Sequence, residues 1–265
     1  MVDAPDVQPM ENVKGNIEFR NLSFQYPDGD MNALHNVSFT IQAGENIGLV
    51  GKTGSGKTTL VDLILRTYNV PNGTLFVDGR DVNTVPIRDV RAACAYVPQD
   101  NFLFSDTIAN NIGFGRPGKK DEASVRQAAK LADVDSNIQE FQKGYQTILG
   151  ERGVTVSGGQ KQRISIARAL LMDAPILILD DSVSAVDTKT EKTILENLHA
   201  TRAGKTTILI AHRISTIEQM DKIIFVEDGT VVAMGPHTQL YDTCPSYRKM
   251  VDLQRLEEEG GEHNG

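Results

Sequence analysis

Apolar positions along the chain fall into short runs that alternate with segments of helical periodicity. Short apolar runs are typical of buried strands, and apolar residues repeated every three or four positions indicate one buried face of a helix. Strands that alternate with helices in this way predict an α/β fold with a largely parallel sheet. The predicted helices are 59–66, 122–134, 161–172 and 189–198, and the predicted strands are 17–19, 22–26, 37–41, 46–50, 73–77, 95–97, 176–179, 206–210, 223–226 and 230–233.

Three segments depart from this alternation. Residues from about 105 to 172 are mostly helical and interrupt the α/β pattern as an insertion. Residues 1–14 are polar and contain prolines, which predicts a linker or arm. Residues 256–265 are acidic and rich in glycine, which predicts a disordered tail.

Composition and charge argue against several classes of protein, including nucleic-acid binders and membrane-spanning chains. The chain has 265 residues, of which 40% are hydrophobic, and a net charge of -8 that argues against a nucleic-acid binder. No apolar run approaches the roughly 18 residues of a membrane-spanning helix, and the N-terminus does not have the pattern of a signal peptide. Cys94 and Cys244 offer neither a zinc-ligand spacing nor a disulfide framework, so we expect a soluble protein in a reducing compartment.

A glycine-rich loop lies between the predicted strand 46–50 and the predicted helix 59–66. It fits the pattern G-x-x-x-x-G-K-[ST] in the strand–loop–helix context that phosphate binding requires. Its backbone N–H groups would surround phosphate oxygens, while Lys57 would reach the outer phosphates and the Thr58 hydroxyl would bind Mg2+. A glycine-rich turn that contains Lys-Thr by chance is the alternative. The loop reads Gly51-Lys52-Thr53-Gly54-Ser55-Gly56-Lys57-Thr58.

A carboxylate follows the apolar strand 176–179. The strand places Asp180 at its carboxyl end, the edge at which open α/β sheets bind ligands. Beside a phosphate-binding loop, such a carboxylate can hold Mg2+ through water. Taken alone, Asp180 would be a turn residue at the end of a strand.

A second glycine-containing segment precedes the predicted helix 161–172. Ser157 is a suitable N-cap, and Gly158 and Gly159 leave the helix N-terminus open to an anion, with Gln160 next in the chain. A plain Ser-Gly-Gly turn into a helix is the alternative.

These segments together resemble the nucleotide-binding domain of ABC transporters over about residues 15–255. The resemblance implies a P-loop NTPase (RecA-like) core with an antiparallel β subdomain and a helical subdomain inserted at about 100–172. Segments 103–112 and 147–153 resemble the exporter branch of the family. The motifs fall in the family's order: the loop 51–58, Gln99 in Val97-Pro98-Gln99-Asp100, Ser157-Gly158-Gly159-Gln160, Asp180, Ser184-Ala185-Val186-Asp187, and His212 in Ile210-Ala211-His212-Arg213.

The resemblance assigns further roles in binding Mg-ATP. Tyr26 would stack on the adenine, and Thr59 would complete the phosphate-binding segment. Gln99 would contact Mg2+ and the attacking water, and His212 would contact the γ-phosphate. Asp187 would couple two sites across a dimer. Without the family context, Tyr26 could be a strand-end tyrosine, His212 a helix-capping residue and Asp187 a solvated turn carboxylate.

The family also implies partners and a location. Two nucleotide-binding domains meet head to tail, and each ATP lies between the phosphate loop of one chain and the signature, residues 157–160, of the other. We therefore expect a second such domain and the transmembrane domain of an exporter as partners, at the cytoplasmic face of the cell membrane. The linker-like start suggests an excised domain, and no nucleic acid is expected as a partner.

One residue departs from the family pattern. Fully active members have glutamate after the Walker B aspartate, which is Asp180 here, whereas this chain has Asp181. Because the aspartate side chain is one methylene shorter, its carboxylate would lie about 1 Å or more farther from the water. Asp181 either does the same work less well or belongs to a degenerate site, as in one half of the heterodimeric bacterial multidrug exporters. The expected function is a motor that exports drugs, lipids or other amphipathic substrates. The alternatives are a non-transport ABC ATPase and a binding-only regulatory module.

Overall fold

The computed structural model describes residues 2–114, 116, 121–150, 155–184, 186–211 and 213–262, with the backbone alone from 258 to 262. The chain divides into two compact units. Unit 1 comprises Met1–Arg91 and Thr206–Gly265, and unit 2 comprises Ala92–Lys205.

The strands and helices follow each other in the order that the sequence predicts for an α/β fold. The strands are β1 (Ile17–Gln25), β2 (Asn32–Ile41), β3 (Asn46–Val50), β4 (Leu75–Val77), β5 (Arg80–Asp81), β6 (Cys94–Val97), β7 (Ile176–Asp180), β8 (Thr206–Ile210), β9 (Lys222–Glu227) and β10 (Thr230–Gly235). The α-helices are α1 (Lys57–Ile64), α2 (Ile87–Ala92), α3 (Ile108–Gly113), α4 (Glu122–Leu131), α5 (Asp135–Glu140), α6 (Gly158–Met172), α7 (Thr188–Thr201), α8 (Ile214–Ile217), α9 (His237–Thr243) and α10 (Pro245–Glu262).

Unit 1 contains an antiparallel sheet with the strand order β2-β1-β4-β5. Apolar residues of β1 and β2 alternate with exposed ones, and Phe19 stacks on Phe39 with ring centroids 4.6 Å apart. The predicted strands 17–19 and 22–26 form one strand, because the irregularity at Asn21, which has a φ of +46°, shifts the register without ending the strand.

Unit 1 also holds the strand that leads into the glycine-rich loop. β3 pairs in parallel with β8 on one side and with β9 on the other, and β9 forms an antiparallel hairpin with β10. A Cβ at Gly48 in β3 would lie 2.9 Å from Ile217, so the helix α8 packs against this strand at glycine distance. β3 is therefore a central, buried strand, as its apolar sequence predicts.

Unit 2 combines the parallel pair β6 and β7 with the helices α3 to α7. The long helix α6 packs on α3 and α4. The unit is wider than the helical insertion predicted at about 100–172, because β6, β7 and α7 belong to the same compact body. These features agree with an α/β fold that carries a helical insertion.

The two ends of the chain differ in how well the sequence anticipates them. Residues 2–14 contain neither helix nor strand, but they are hydrogen-bonded to the rest of unit 1. The Met10 N–H donates to Asp89, 3.1 Å away, and Arg80 donates to the Pro9 carbonyl at 2.6 Å.

The C-terminal helix α10 continues to Glu262, whereas the sequence predicts a disordered tail from residue 256. Composition favoured disorder there, but the buried residues Tyr247 and Val251, four positions apart, anchor one face of the helix. Within the described residues, no helix is both long and apolar enough to cross a bilayer.

Candidate nucleotide-binding site

The glycine-rich loop joins the end of β3 to the start of α1, in the geometry that the sequence predicts. A Cβ at Gly51 would lie 2.1 Å from the Val226 carbonyl oxygen, so no larger residue fits there without moving the backbone. Gly56 has a φ of +107°, and a Cβ there would lie 2.8 Å from the Leu34 side chain. These two glycines let the loop turn tightly against β9 and β2, and they leave the N-terminus of α1 facing the loop.

Lys57 lies inside this loop. Its ammonium donates hydrogen bonds to the carbonyls of Gly51 at 2.7 Å and Lys52 at 2.8 Å, and the residue is only 6% exposed. A buried cation at a helix N-terminus favours an anion beside it. Thr58 is exposed, whereas Thr59 is buried. The loop therefore has the charge and the donors that a polyphosphate requires.

Tyr26 lies beside the first turn of α1. Its hydroxyl is 2.8 Å from the Thr59 hydroxyl oxygen, and its ring packs edge to face with Phe24 and Tyr68, with centroids 5.1 Å apart in each pair. Burial raises the pKa of Tyr26, so the ring stays neutral at physiological pH. The structure thus brings the tyrosine predicted for the adenine to the helix predicted for the phosphates.

Asp180 lies at the carboxyl end of β7 and is 6% exposed. The Tyr96 hydroxyl, on the neighbouring strand β6, donates to the Asp180 carboxylate at 3.2 Å. Tyr96 is not among the residues that the sequence predicts for the site. Its place in the predicted strand 95–97 was a signal, but only the pairing of β6 with β7 shows that the two residues meet.

Gln99 and Asp181, both predicted to act on the water, are hydrogen-bonded to each other. The Gln99 amide donates to the Asp181 carboxylate at 3.2 Å. Asp181 has a φ of +46°, in the left-handed region that Asp and Asn occupy more readily than other side chains. The Ser184 hydroxyl donates to the Asp181 carbonyl at 2.8 Å and fixes the turn after β7. The shorter carboxylate is therefore held by its backbone and by Gln99.

The predicted signature forms the N-terminus of α6. Ser157 accepts from the Gln160 N–H at 3.2 Å, and the Gln160 side chain accepts from the Ser157 N–H at 3.0 Å, which is a capping box. A Cβ at Gly158 would meet no heavy atom within 4 Å, and Ser157 is exposed. The N-terminus of α6, a helix of 15 residues, is therefore open, because no other part of the described chain lies against Gly158.

Asp187 is the N-cap of α7. Its carboxylate accepts from the Thr190 N–H at 3.0 Å and from the Thr190 hydroxyl at 2.7 Å. The hydrogen bonds from the Thr190 backbone and side chain lower the pKa of Asp187, which keeps this exposed residue ionised. His212, Ala185 and residues 151–153, which the sequence analysis also selected, lie outside the described residues.

The donor set fits the group that the sequence predicts. Mg2+ prefers hard oxygen ligands and is usually bound through one or two protein oxygens together with phosphates and water. The Thr58 hydroxyl and the Asp180 carboxylate are ligands of this type, and the Gln99 amide oxygen is a third. Each unit therefore supplies oxygen ligands of the type that Mg2+ prefers, and unit 1 also supplies the buried cation Lys57.

Comparisons with known proteins agree with this chemistry. A model of the family described as ABC transporter matches residues 34–184. A Bacillus subtilis protein that carries the name of a multidrug export ATP-binding/permease protein is 44% identical over 254 residues, which are 96% of this chain and 44% of that protein. The ATP-dependent lipid A-core flippase of Escherichia coli K12 is 42% identical over 245 residues, 92% of this chain and 42% of the flippase.

A solved structure is similar over the same extent. The structure of a bacterial Atm1-family ABC exporter with ATP bound matches with a TM-score of 0.91 and 39% identity, over 96% of this chain and 45% of that one. The chain therefore spans less than half the length of the relatives that it matches.

Proposed function

The chain belongs to the ABC transporter family as an ATPase domain of the exporter type, and from this premise we propose that it binds and hydrolyses Mg-ATP to drive export. The observation that carries the proposal is the buried ammonium of Lys57 inside a glycine loop at the start of α1. Such a loop holds the phosphates by charge-assisted hydrogen bonds, which are stronger than neutral ones.

Each predicted residue has a role in binding or in the chemistry. Tyr26 stacks on the adenine, and Lys57 holds the outer phosphates. Thr58 and Asp180 supply oxygen ligands to Mg2+, which when bound neutralises charge on the phosphate oxygens. Asp181 orients the attacking water and accepts its proton.

Gln99 and His212 are proposed to act on the water and on the γ-phosphate. The Gln99 amide, which bonds Asp181, also contacts the water, so a movement of Gln99 would change the position of both. His212 contacts the γ-phosphate by the resemblance alone. Loss of the Gln99–Asp181 bond is the change by which a neighbouring domain would influence hydrolysis.

The open N-terminus of α6 supports a head-to-tail pair. Ser157, Gly158 and Gly159 form an open anion seat, whereas the phosphate loop at α1 already supplies a buried cation for this chain's own ATP. The seat therefore serves the ATP of a second ABC domain. Asp187, held ionised at the start of α7, lies at that junction and couples the two sites.

The second domain is a different chain with glutamate after its Walker B aspartate. Asp181 is one methylene shorter, and a displacement of about 1 Å can cost on the order of a hundredfold in rate. The left-handed backbone of Asp181 and its bond to Gln99 hold this carboxylate back. We therefore assign the weak site of a heterodimer to this chain, whose signature serves the competent site.

A surface in unit 2 is suited to the transmembrane partner. Phe102 and Phe114 are 66% and 62% exposed, and both pack on the ring of Phe104; we refer to these three rings as the phenylalanine surface. Exposed apolar groups of this size indicate an interaction site. A cavity of about 370 Å3 adjoins it, lined by Phe102, Leu103, Leu149, Gly150, Thr155, Val156 and Lys161.

The relatives' names indicate what covers this surface. One of them is called an ATP-binding/permease protein, so that protein carries a permease part, and this chain spans less than half of it. We assign the phenylalanine surface to a transmembrane domain, which would place the ATPase at the cytoplasmic face of the cell membrane. Drugs, lipids or other amphipathic molecules are the cargo that the relatives' names suggest.

A second candidate function is a binding-only regulatory module, and Asp181 is the residue that favours it. A non-transport ABC ATPase fits less well, because the relatives in the comparison are named as export proteins or flippases.

The experiment measures Mg-ATP binding and hydrolysis by the chain alone and after mixing with an ABC domain that has the Walker B glutamate. The motor proposal predicts tight binding with slow turnover alone and a clear rise after mixing. Binding without any rise would favour the regulatory module, and absence of ATP binding would overturn both.

A further inference from the structure

Tyr26 lies in a cluster of aromatic rings with Phe24 and Tyr68. Tyr68 packs against Tyr26 with ring centroids 5.1 Å apart and an angle of 85° between the rings. Phe24 makes a second near-perpendicular contact with Tyr26, at 5.1 Å and 81°. Phe24 and Tyr68 also contact each other at 5.7 Å, so the three rings form a closed cluster.

The Tyr26 ring is fixed at its far end as well. Its hydroxyl is within hydrogen-bond distance of the buried Thr59 hydroxyl on α1. A ring held by one hydrogen bond can still rotate about the axis through its hydroxyl, whereas near-perpendicular rings in contact with it fix its plane. Stacking on a base depends on that plane, so the neighbours of Tyr26 determine how well an adenine fits.

The end of α1 places Tyr68 in this cluster. The Thr67 N–H donates to the Asp62 carbonyl at 2.8 Å, and the Arg66 N–H donates to the Leu63 carbonyl at 3.1 Å, which is a Schellman ending. Arg66 has a φ of +52° where glycine is usual. The tight ending turns the chain back, so that Tyr68 reaches Tyr26 instead of continuing along the helix axis.

Two arginines hold this turn. Arg66 is 3% exposed and its guanidinium donates to the Val82 carbonyl. Arg91 donates to the Leu65 carbonyl at 3.0 Å and to the Arg66 carbonyl at 2.9 Å. A non-glycine residue in the left-handed region costs free energy, so these contacts stabilise a turn that α1 would not adopt unaided.

We infer that Tyr68 is a positioning residue for nucleotide binding: it fixes the plane of Tyr26 so that the adenine stacks on it. The inference rests on the proposed adenine contact of Tyr26. It connects the two halves of the ATP seat through α1, because the helix that begins at Lys57 ends in the turn that positions Tyr68. The affinity for the base and the affinity for the phosphates therefore depend on one helix.

The test separates the base from the phosphates. Calorimetry gives the affinities of the full chain for Mg-ATP and for magnesium tripolyphosphate, and their ratio measures the contribution of the nucleoside. The variants are Tyr26→Ala, Tyr68→Leu, Tyr68→Phe and the double variant Tyr26→Ala/Tyr68→Leu. Tyr241→Leu is the matched control, a half-buried tyrosine of the same unit that lies on α9, outside the cluster.

Tyr26→Ala should lower the ratio about five- to hundredfold, the usual range for loss of a base–aromatic stack. Tyr68→Leu should lower it about two- to tenfold, the range for one aromatic pair, with tripolyphosphate affinity unchanged. Tyr68→Phe and Tyr241→Leu should keep the wild-type ratio. Tyr68→Leu should have no further effect in the Tyr26→Ala background, because it acts through Tyr26.

Any other result would overturn either the positioning role of Tyr68 or the adenine contact of Tyr26. If Tyr26→Ala lowers the ratio and Tyr68→Leu does not, the positioning role is wrong and the adenine contact stands. If Tyr26→Ala has no effect, the adenine contact fails and the inference fails with it. Equal losses for ATP and tripolyphosphate in Tyr68→Leu, or an undiminished effect in the double variant, would overturn the inference in favour of a structural role or a direct contact. If Tyr68→Leu does not fold, Tyr68→Met takes its place with the same outcomes.

Discussion

The N-termini of α1 and α6, one in each unit, both lie in glycine-containing segments, and they differ in what surrounds them. At α1 the loop closes around a buried lysine, and a Cβ at Gly51 would collide with the neighbouring strand. At α6 the helix is capped by its own Ser157 and Gln160, and Gly158 adjoins open space. Both can attract an anion, but the loop at α1 also surrounds a buried cation, Lys57.

This difference indicates that α1 carries a complete phosphate site and α6 half of one. An exposed helix N-terminus alone contributes little to anion binding in water, since its field falls off within about a turn and is screened by salt. It becomes strong when a second surface excludes water from it. Substitutions at each of the two N-termini, and at Asp181, test this distinction.

Ser157→Arg should abolish the contribution of the open seat. A bulky cation would occupy the place of the opposing γ-phosphate, so ATP-driven pairing and hydrolysis at the partner's site should both be lost. ATP binding by the isolated variant should survive, because the Lys57 loop is untouched. Calorimetry of the isolated variant and ATPase assays of the mixed pair measure the two effects. Loss of ATP binding in the isolated chain would point to a site in cis or to misfolding.

Lys57→Ala should weaken ATP binding by the isolated chain roughly tenfold to a hundredfold. A charge-assisted hydrogen bond to phosphate contributes about 1.5–3 kcal/mol, which gives this range. Isothermal calorimetry measures it, with Lys161→Ala at the open seat as the matched lysine control, for which we expect no change in the isolated chain. Wild-type affinity in Lys57→Ala would refute the assignment of the loop.

Asp181→Glu should raise the turnover of this chain's own site about tenfold. The added methylene restores most of the reach that about 1 Å of displacement removes. The gain stays below a hundredfold because the left-handed backbone is less favourable for glutamate, and the variant should lose up to about 1 kcal/mol of unfolding free energy. ATPase assays and urea unfolding measure the two changes. Unchanged turnover would show that reach does not limit the site.

Asp181→Asn should alter the turnover of the assembled heterodimer less than twofold. The amide keeps the shape of the side chain and an acceptor for Gln99, and little flux passes through this site. Replacement of the partner's catalytic carboxylate is the comparison, and it should remove most activity. If both replacements cause similar losses, this site is competent and the degenerate assignment is wrong.

The sequence predicted more of the phosphate loop than of its surroundings. The pattern at 51–58 and the apolar strand before Asp180 depend on local spacing, so both were found without a structure. The contacts of Tyr26 with Tyr68 and of Asp180 with Tyr96 join residues that are far apart in the chain, and no local pattern encodes them. The left-handed conformation of Asp181 was not predicted either, because a strand-end aspartate gives no sign of its φ.

The sequence likewise predicted the fold class but not every boundary of the strands and helices. The alternation of β-strands and helices predicted the α/β class, but it split β1 at Asn21, where one left-handed residue carries the strand through an irregularity. It also missed the helical residues 256–262, because an acidic, glycine-rich composition conceals a helix that is anchored farther back, at Tyr247 and Val251. Tertiary packing determined both outcomes.

Each copy of this chain carries both seats, so two copies can pair in the way proposed for the heterodimer. Complementation between two variants of this chain therefore tests most directly whether the enclosed seat and the open seat act across a pair. Lys57→Ala and Ser157→Arg are each examined alone and then as an equal mixture, at an ATP concentration that fills the unmutated loop but not the Lys57→Ala loop. Sedimentation velocity measures ATP-dependent association. Neither variant alone should pair, and the mixture should recover pairing with one nucleotide per pair, since one site then joins an intact Lys57 to an intact Ser157. If the mixture stays monomeric while the unmutated chain pairs with ATP, the two seats act within one chain and not across a pair.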